Sequence, residues 1–303
     1  MTKPLVSVVV LSYNRPVALQ RALVSVVHQT YPNLEVLVVD NLSVSSEEIA
    51  RIVSRFPAIR LISHPGNLGF TGGMNSGIRA AFGKFVYLTE DDIEVEPQVI
   101  TTLVEHLTRN PSMGVAGPLM VNRISGTVRC AGGHFTLGNT YQMRILDQDT
   151  SVERLPRTGP YSVSYLPGAS MMVRAALFER LGSFRDEFFM YGEDVEFCAR
   201  VRRSGLGIAV VPSARVIHDE PSADVSAIIE FHKIKNFVSL YLLHARPSVL
   251  PIFIVRYGAA GLVRALRERR GLLHLRAWFW ALARAPRFLL ERLQSVQTVP
   301  CTD

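Results

Sequence analysis

The chain begins as short apolar runs alternating with stretches of helical period. Leu5–Leu11 is a continuous valine-rich run, the pattern of a strand buried on both faces. Ser12-Tyr13-Asn14-Arg15-Pro16 interrupts it, and Pro16 suits the first turn of a helix. Leu19, Ala22, Leu23, Val26 and Val27 then recur at helical spacing. A second strand is expected at Val36–Val39, ending in Asp40-Asn41, and Ser45-Ser46-Glu47-Glu48 reads as the start of a helix with Ile49, Ile52, Val53 and Phe56 on one face. Ile59–Ser63 predicts a third strand, followed by a glycine-rich turn and a helix. Phe85–Leu88 predicts a fourth, running into Glu90-Asp91-Asp92. Strands and helices alternating through short connections predict an α/β fold with a doubly wound, mainly parallel sheet. Ligands of such sheets bind beyond the carboxyl ends of the strands, and Asn14, Asp40, Asn67 and Asp92 all fall there.

The pattern changes near residue 117. Residues 118–165 hold Gly, Thr and Arg without a sustained helical period, so hairpins or loops are expected. A helix is predicted over Glu193–Ser204, stopped by Gly205, with a strand at Ile208–Val211. Beyond about residue 222 the chain reads as helical and amphipathic. The expected organisation is a main domain over 1–221, in halves 1–117 and 118–221, and a helical extension over 222–303.

Composition refines this picture. Of 303 residues, 48% are hydrophobic and 19% charged, enough for a large core and against general disorder. The net charge of +7 resides in the tail, where ten arginines between Arg246 and Arg292 face only Glu268 and Glu291. The body is close to neutral and lacks the electrostatic footprint of a nucleic-acid binder. Cys130, Cys198 and Cys301 show no CxxC spacing, which fits a reducing compartment. Met1–Pro4 leads straight into a strand rather than a secretory leader, and Val249–Val263 is broken by Pro251 and Arg256 and short for a membrane span. A cytoplasmic protein is expected, with peripheral contact to the inner face of the plasma membrane through the tail. On one helix continued past Gly271, Arg276, Arg284, Arg287 and Glu291 share a quadrant, with Trp278, Leu282, Leu289 and Leu293 on another side. Basic amphipathic helices with aromatics lie on anionic membranes; the other readings are a helix packed on the main domain or one that mediates oligomers.

Four clusters could carry chemistry. In an extended Glu90-Asp91-Asp92 segment, Glu90 and Asp92 would point the same way. Such carboxylates repel unless a cation intervenes, and oxygen ligands suit Mg²⁺ or Mn²⁺; the plain reading is an acidic turn before the helix near Pro97. Gly66–Asn75 is glycine-rich before a helix, where backbone N–H groups can face a phosphate. It is neither a P-loop nor GxGxxG after the first strand, and the plain reading is a tight connection. Gly192-Glu193-Asp194 opens a helix whose dipole favours a charged carboxylate, as a general base requires; first-turn acid capping is the ordinary alternative. His218 ends the apolar run Ala214–Ile217, ahead of Asp219-Glu220-Pro221, and alone reads as a structural histidine.

Taken together, VSVVVLSYNRP at 6–16, EVLVVDN at 35–41, NLGFTGGMNSG at 67–77, LTEDDIEVEP at 88–97, PGASMMVR at 167–174, FFMYGEDVEFCARVRRSG at 188–205 and VPSARVIH at 211–218 resemble the inverting family 2 glycosyltransferases of GT-A fold, nearest the rhamnosyl- and galactofuranosyl-transferase branch. The resemblance implies a mixed sheet flanked by helices, a nucleotide-diphosphate sugar donor (dTDP-rhamnose first, UDP-sugars second) and a glycan or lipid-linked acceptor in cell-envelope polysaccharide synthesis. It also implies divalent-metal dependence. By the same resemblance Tyr13, Asn14 and Asp40 hold the nucleoside, and Asn67, Gly72 and Gly73 lie against the diphosphate. Asp91 joins the donor site. Asp92 binds the metal with His218, and Glu90 stands where the family usually has aspartate. Asp194, rather than Glu193, is the base, and Gly168 borders the sugar and acceptor. Two rival readings are a non-catalytic nucleotide-sugar binder or scaffold of the same fold, and a dinucleotide oxidoreductase, against which the missing GxGxxG counts.

Overall fold

The computed structural model describes residues 3–218, 226–267 and 271–297, the side chains of 264–266 and 293–297 excepted. The readings placed on Asp219-Glu220-Pro221, the 221/222 boundary, Arg264, Glu268, Arg269, Arg270, Leu293, Cys301 and Asp303 lie outside the described residues.

The first half follows the expected alternation: β1 (Val6–Ser12), α1 (Pro16–Val27), β2 (Leu34–Asp40), α2 (Ser46–Val53), β3 (Ile59–Ser63), α3 (Gly69–Ala80) and β4 (Phe85–Glu90). β4, β1, β2 and β3 lie side by side in parallel. The run at β1 is continuous because both faces are covered: Val6, Val8 and Val10 pack under α1, α2 and the next helix, while Val9 and Leu11 face the α3 side. Next come β5 (Ile93–Val95), α4 (Val99–Arg109) and β6 (Met113–Asn122). Residues 118–165 form the expected short strands and hairpins: β7 (Val128–Cys130), β8 (Gly133–Leu137) paired with β9 (Tyr141–Ile145), and β10 (Tyr161–Val163). β11 (Ser170–Arg174), α5 (Ala175–Leu181), α6 (Glu193–Arg203) and β12 (Gly207–His218) complete the body.

The sheet is mixed, in the order β10-β12-β6-β11-β4-β1-β2-β3. β11 runs antiparallel between β4 and β6, and β12 returns parallel to β6. β6 crosses the 117/118 position, so the two expected halves share one sheet. Two expectations need correction. The helix after β3 starts at Gly69, so Gly72 and Gly73 lie inside α3 rather than in a turn ahead of it. β12 is longer than Ile208–Val211 and carries a register shift between Val211 and Arg215.

The tail is helical: α7 (Ala227–His244), α8 (Leu250–Arg267), α9 (Gly271–Ala283) and α10 (Ala285–Gln297). It is not one helix past Gly271. Pro286 lacks the N–H that would continue the ladder, and the chain breaks at Arg284. The single wheel therefore fails. Trp278 stacks on Phe253 at 5.6 Å, in the packed side with Ala277 and Ala281, whereas Leu272, Leu275, Phe279 and Leu282 face outward with Arg276. Phe231, Trp280 and Arg284 join Leu275, Arg276 and Phe279 around an open groove of about 530 Å³. Among the described residues no helix is long and apolar enough to cross a membrane. Cys130 and Cys198 carry free thiols.

A buried ion network ties tail to body. Glu196, fully buried on α6, accepts from Arg185 and Arg200 and lies 3.0 Å from His244 Nε2 on α7. Arg185 also bonds Glu291 of α10 at 2.5 Å. Burial pushes the Glu196 carboxyl up, but Arg200 and His244 outweigh it and hold it well below the ordinary range. Removing one partner strands buried charges. Glu196→Ala is expected to lose about 3–5 kcal/mol in urea unfolding, against about 0–1 kcal/mol for Arg287→Ala on the exposed Arg287–Glu291 pair. Since the folded value is depressed, this stability is complete above the unfolded carboxyl pKa and is lost as pH falls toward the folded one. A Glu196→Ala protein with wild-type unfolding at neutral pH would contradict it.

Candidate active site

The carboxyl ends of β1, β2 and β4 lie side by side. At β1 the chain leaves through Tyr13 and Asn14, the latter with φ of 59°. Asn14 Oδ1 accepts from Val44 N at 2.7 Å and its own N–H reaches Ser43 Oγ at 2.9 Å. Asp40, buried at the end of β2, accepts from Ser43 N at 2.9 Å. These bonds stitch two neighbouring turns together and leave the Tyr13 ring 44% exposed, an amphipathic surface for a flat base.

β4 ends at Glu90 and the chain turns at Asp91-Asp92, so the expected strand-like alternation does not extend through the triplet. Asp91 Oδ2 accepts from Ser12 Oγ and Tyr13 N, both at 3.0 Å, and so braces the β1 turn. Asp92 bonds Arg15, whose guanidinium also lies 3.6 Å from Asp91. β12 pairs antiparallel with β5 so that His218 sits opposite Ile93, which brings His218 Nε2 to 3.4 Å from Asp92 Oδ1. Burial raises the Asp92 carboxyl, but His218 and Arg15 together pull it below its ordinary value. Burial, then Asp92 and Asp91, push Glu90 up to about 8, and Asp194 adds to that push.

Asp194 comes from the other half of the sheet. It lies in the first turn of α6, after Gly192, whose φ of 88° favours glycine. Its Oδ2 accepts from Tyr165 OH at 3.0 Å and Gly168 N at 3.2 Å, and Oδ1 accepts from Val195 N at 2.8 Å. Burial nonetheless holds its pKa above the ordinary aspartate value. Glu193 is buried, with Oε2 unpaired, and is raised further by burial and by Asp194. Asp194 is the more exposed of the two. Asp194 and Glu193 both act electrostatically on Glu90, so the carboxylates of both halves share one site.

A divalent cation has a place here. Asp92 Oδ1 and His218 Nδ1 are buried without a hydrogen-bond partner, and a 3.4 Å contact is too long for a good hydrogen bond between Asp92 and His218. Among the described residues no three His, Cys, Asp or Glu side chains form a protein-only cage. A carboxylate and an imidazole, with phosphate oxygens and water for the rest, fit the way Mg²⁺ or Mn²⁺ is bound beside phosphates.

The glycine-rich segment differs from expectation. Leu68 N and Gly69 N are taken by Asn41 Oδ1 and Asn67 Oδ1 at 2.9 and 2.8 Å, and Thr71 N by Phe189 O at 3.1 Å. The start of α3 is therefore largely capped by protein. Gly72 and Gly73 serve packing: a Cβ would lie 2.6 Å from Leu68 Cβ and 2.5 Å from Leu11 Cδ1. Gly168 supplies its N–H to Asp194, and a Cβ there would approach Phe70 to 3.0 Å. Arg15, Asn41 and Tyr165 went unnoticed in the sequence. Arg15 stood within the quoted SYNRP turn, whereas Tyr165 had no signal beyond lying three residues before Gly168.

Comparison with known proteins agrees with this geometry. Residues 7–182 match the Glycosyl transferase family 2 profile. The chain is 30% identical over 234 residues to N-acetylglucosaminyl-diphospho-decaprenol L-rhamnosyltransferase of Mycobacterium tuberculosis, covering 70% of this chain and 75% of that one. In fold it is similar to GalNAc-T7 solved with UDP, GalNAc and Mn²⁺, at a TM-score of 0.70 and 15% identity, over 98% of this chain and 58% of that one. A mannosyltransferase, PcManGT from Pyrobaculum calidifontis in complex with GDP-Man and Mn²⁺, matches at a TM-score of 0.56 and 18% identity, over 98% and 85%. At such identities the structural likenesses carry the GT-A fold alone, while the profile and the mycobacterial relative carry the family. With those matched segments meeting at the carboxyl ends of a GT-A sheet, the chain belongs to glycosyl transferase family 2 and is a glycosyltransferase.

Proposed function

We propose that the protein is an inverting, divalent-metal-dependent glycosyltransferase of cell-envelope polysaccharide synthesis, using a nucleoside-diphosphate sugar and a hydroxyl of a glycan or lipid-linked acceptor. The observation that carries this reading is Asp194. Its carboxylate is oriented by Tyr165, Gly168 and Val195, and its charge, like that of Asp92, acts on Glu90, beside the Asp92–His218 pair. A rhamnose donor is favoured, as dTDP-rhamnose with UDP-sugars second, because the mycobacterial relative is named a rhamnosyltransferase. That name also specifies a diphospho-decaprenol acceptor, which supports the lipid-linked alternative.

In this mechanism the Tyr13 ring and Asp40 receive the nucleoside, and Asn67 flanks the diphosphate. Asp92 and His218 hold the cation, which when bound supplies Lewis-acid stabilisation of the departing diphosphate. Asp194 takes the proton of the acceptor hydroxyl as that oxygen bonds to the anomeric carbon. The carbon's bond to the donor phosphate oxygen breaks on the opposite face, so the configuration inverts. Glu90, whose carboxyl interacts with that of Asp92, is the third group proposed at the cation.

Asp194→Asn is expected to lower turnover by about 10²–10⁴-fold while donor affinity, read by calorimetry, persists. Because the Asp194 pKa is raised, wild-type turnover should fall with acidification above the usual aspartate range. Near-normal turnover in the variant would refute the base. Asp92→Ala should abolish the response to Mn²⁺, and a variant still fully stimulated would remove Asp92 from the metal site.

The tail is proposed to rest on an anionic membrane. Support comes from the outward row Leu272, Leu275, Phe279 and Leu282 beside Arg276, where Phe279 is 76% and Leu272 73% exposed. Phe279→Asp with Leu272→Asp should abolish flotation with vesicles containing anionic lipid without altering the unfolding midpoint; undiminished flotation would end the idea.

A further inference from the structure

The backbone that delivers Asp194 is contorted. Met190 N donates to Phe188 O at 2.7 Å across Phe189, whose φ of 62° and ψ of −57° make it the centre of a γ-turn of the rarer, strained hand. Tyr191 follows at φ 65° and Gly192 at φ 88°, and α6 begins at the next residue with Glu193 and Asp194. Two side-chain-bearing residues in the left-handed region within three positions persist only where surroundings over-determine them. The restraint must come from elsewhere in the chain.

It comes from α7. Asn236, buried on that helix, directs its amide at three carbonyls of the turn: Nδ2 lies 2.8 Å from Phe188 O, 2.9 Å from Met190 O and 2.7 Å from Tyr191 O, its two N–H bonds shared among them. Three converging carbonyls can be met only by the NH₂ end, which fixes the amide's orientation. Its Oδ1 is buried without a partner. Lys235 Nζ bonds Glu187 O, and the His232 ring stacks on Phe189 at 4.7 Å, so adjoining residues of α7 hold the same loop. From the loop, Phe189 O accepts Thr71 N at the start of α3, on the donor side.

We infer that Asn236 is a positioning residue for the transfer reaction: its amide holds the Phe188–Tyr191 turn in the conformation that aims Asp194 at the acceptor. The helical extension thus completes the active site without touching substrate. This rests on Asp194 being the base, and it goes beyond that assignment by placing the control of the base on α7, in the helical extension.

The test is a set of variants in the full-length protein, assayed for transfer with Mn²⁺ and corrected for folded fraction. Asn236→Ala should lose on the order of 10²-fold in kcat, the scale set by misplacing a reacting group by about 1 Å, with donor KM unchanged. Ser239→Ala removes a buried bond one turn further along α7, to Lys235 O, and should keep wild-type kcat whatever its unfolding midpoint. Asn236→Ser, which retains one donor, serves the same comparison where the alanine variant fails to fold, with an intermediate loss. Wild-type kcat in either Asn236 variant, or an equal fall in Ser239→Ala, overturns the proposal. Asp194→Asn alongside separates the two readings. If it retains turnover the base assignment fails and this inference with it; if it is inactive while the Asn236 variants are not, only the clamp is wrong.

Discussion

Repulsion among carboxylates is the constraint around which the site is organised. Glu90, Asp91, Asp92, Glu193 and Asp194 interact beyond the carboxyl end of the central strand β4, in a largely buried setting. Two like charges 4 Å apart cost about 4 kcal/mol at an effective dielectric of 20, comparable to a sizeable part of a domain's net stability of about 5–15 kcal/mol. Five full charges cannot coexist there. The chain resolves the conflict differently at each position: Arg15 and His218 neutralise Asp92, Ser12 and Tyr13 hydrogen-bond Asp91, and three donors hold Asp194. At Glu90 burial and the neighbouring carboxylates outweigh the pull of Arg15 and push the carboxyl well above its ordinary range. A site left this rich in negative charge has a ready use for a divalent cation and little tolerance for an unaccompanied diphosphate.

The parallel half of the fold was legible because burial on both faces writes itself as unbroken apolar runs. Val6–Leu11 and Val36–Val39 have no other easy reading, and the helices between them carry one apolar face each. The same logic placed Asp40, Asp92 and Asn14 at strand ends. The glycine segment opens α3 earlier than its pattern suggests, for a physical reason. Glycine serves turns and close packing equally well, and sequence alone does not distinguish a glycine needed for its N–H from one needed for the absence of Cβ. At Gly73 and Gly77 the neighbours are Leu11 and Val9 of the adjoining strand, contacts that only the folded sheet reveals.

What the sequence could not display is reciprocity between distant stretches. Asn236 resembles any polar residue on an amphipathic helix, and its pattern of three acceptors exists only once residues 188–191 have turned beneath it. Tyr165 likewise becomes significant only beside Asp194. The tail failed more simply. A wheel drawn through Arg284 assumes one axis where Pro286 enforces two, so it cannot relate Arg287 and Leu289 to Arg276 and Trp278. Periodicity identifies faces within a helix and says little across a break.

The irregularity of β12 shows how geometry, rather than motif, brings together the pair proposed to hold the metal. Val211 pairs with Pro118 and Arg215 with Leu119, so three residues of β12 are looped out against a single step on β6. Beyond that bulge the strand resumes its pairing with β6 while its other edge takes up β5, and His218 comes to rest opposite Ile93, next to Asp92. Were β12 to continue in regular register from Val211, Arg215 would take the place of His218 against Asn122, and His218 would run about three residues, or roughly 10 Å, past the carboxylate. A guanidinium there would still neutralise Asp92, but it could not ligate a metal. The bulge therefore determines whether this edge of the sheet is an ion pair or a cation site, which is consistent with the general occurrence of bulges next to active sites, where they re-aim a side chain.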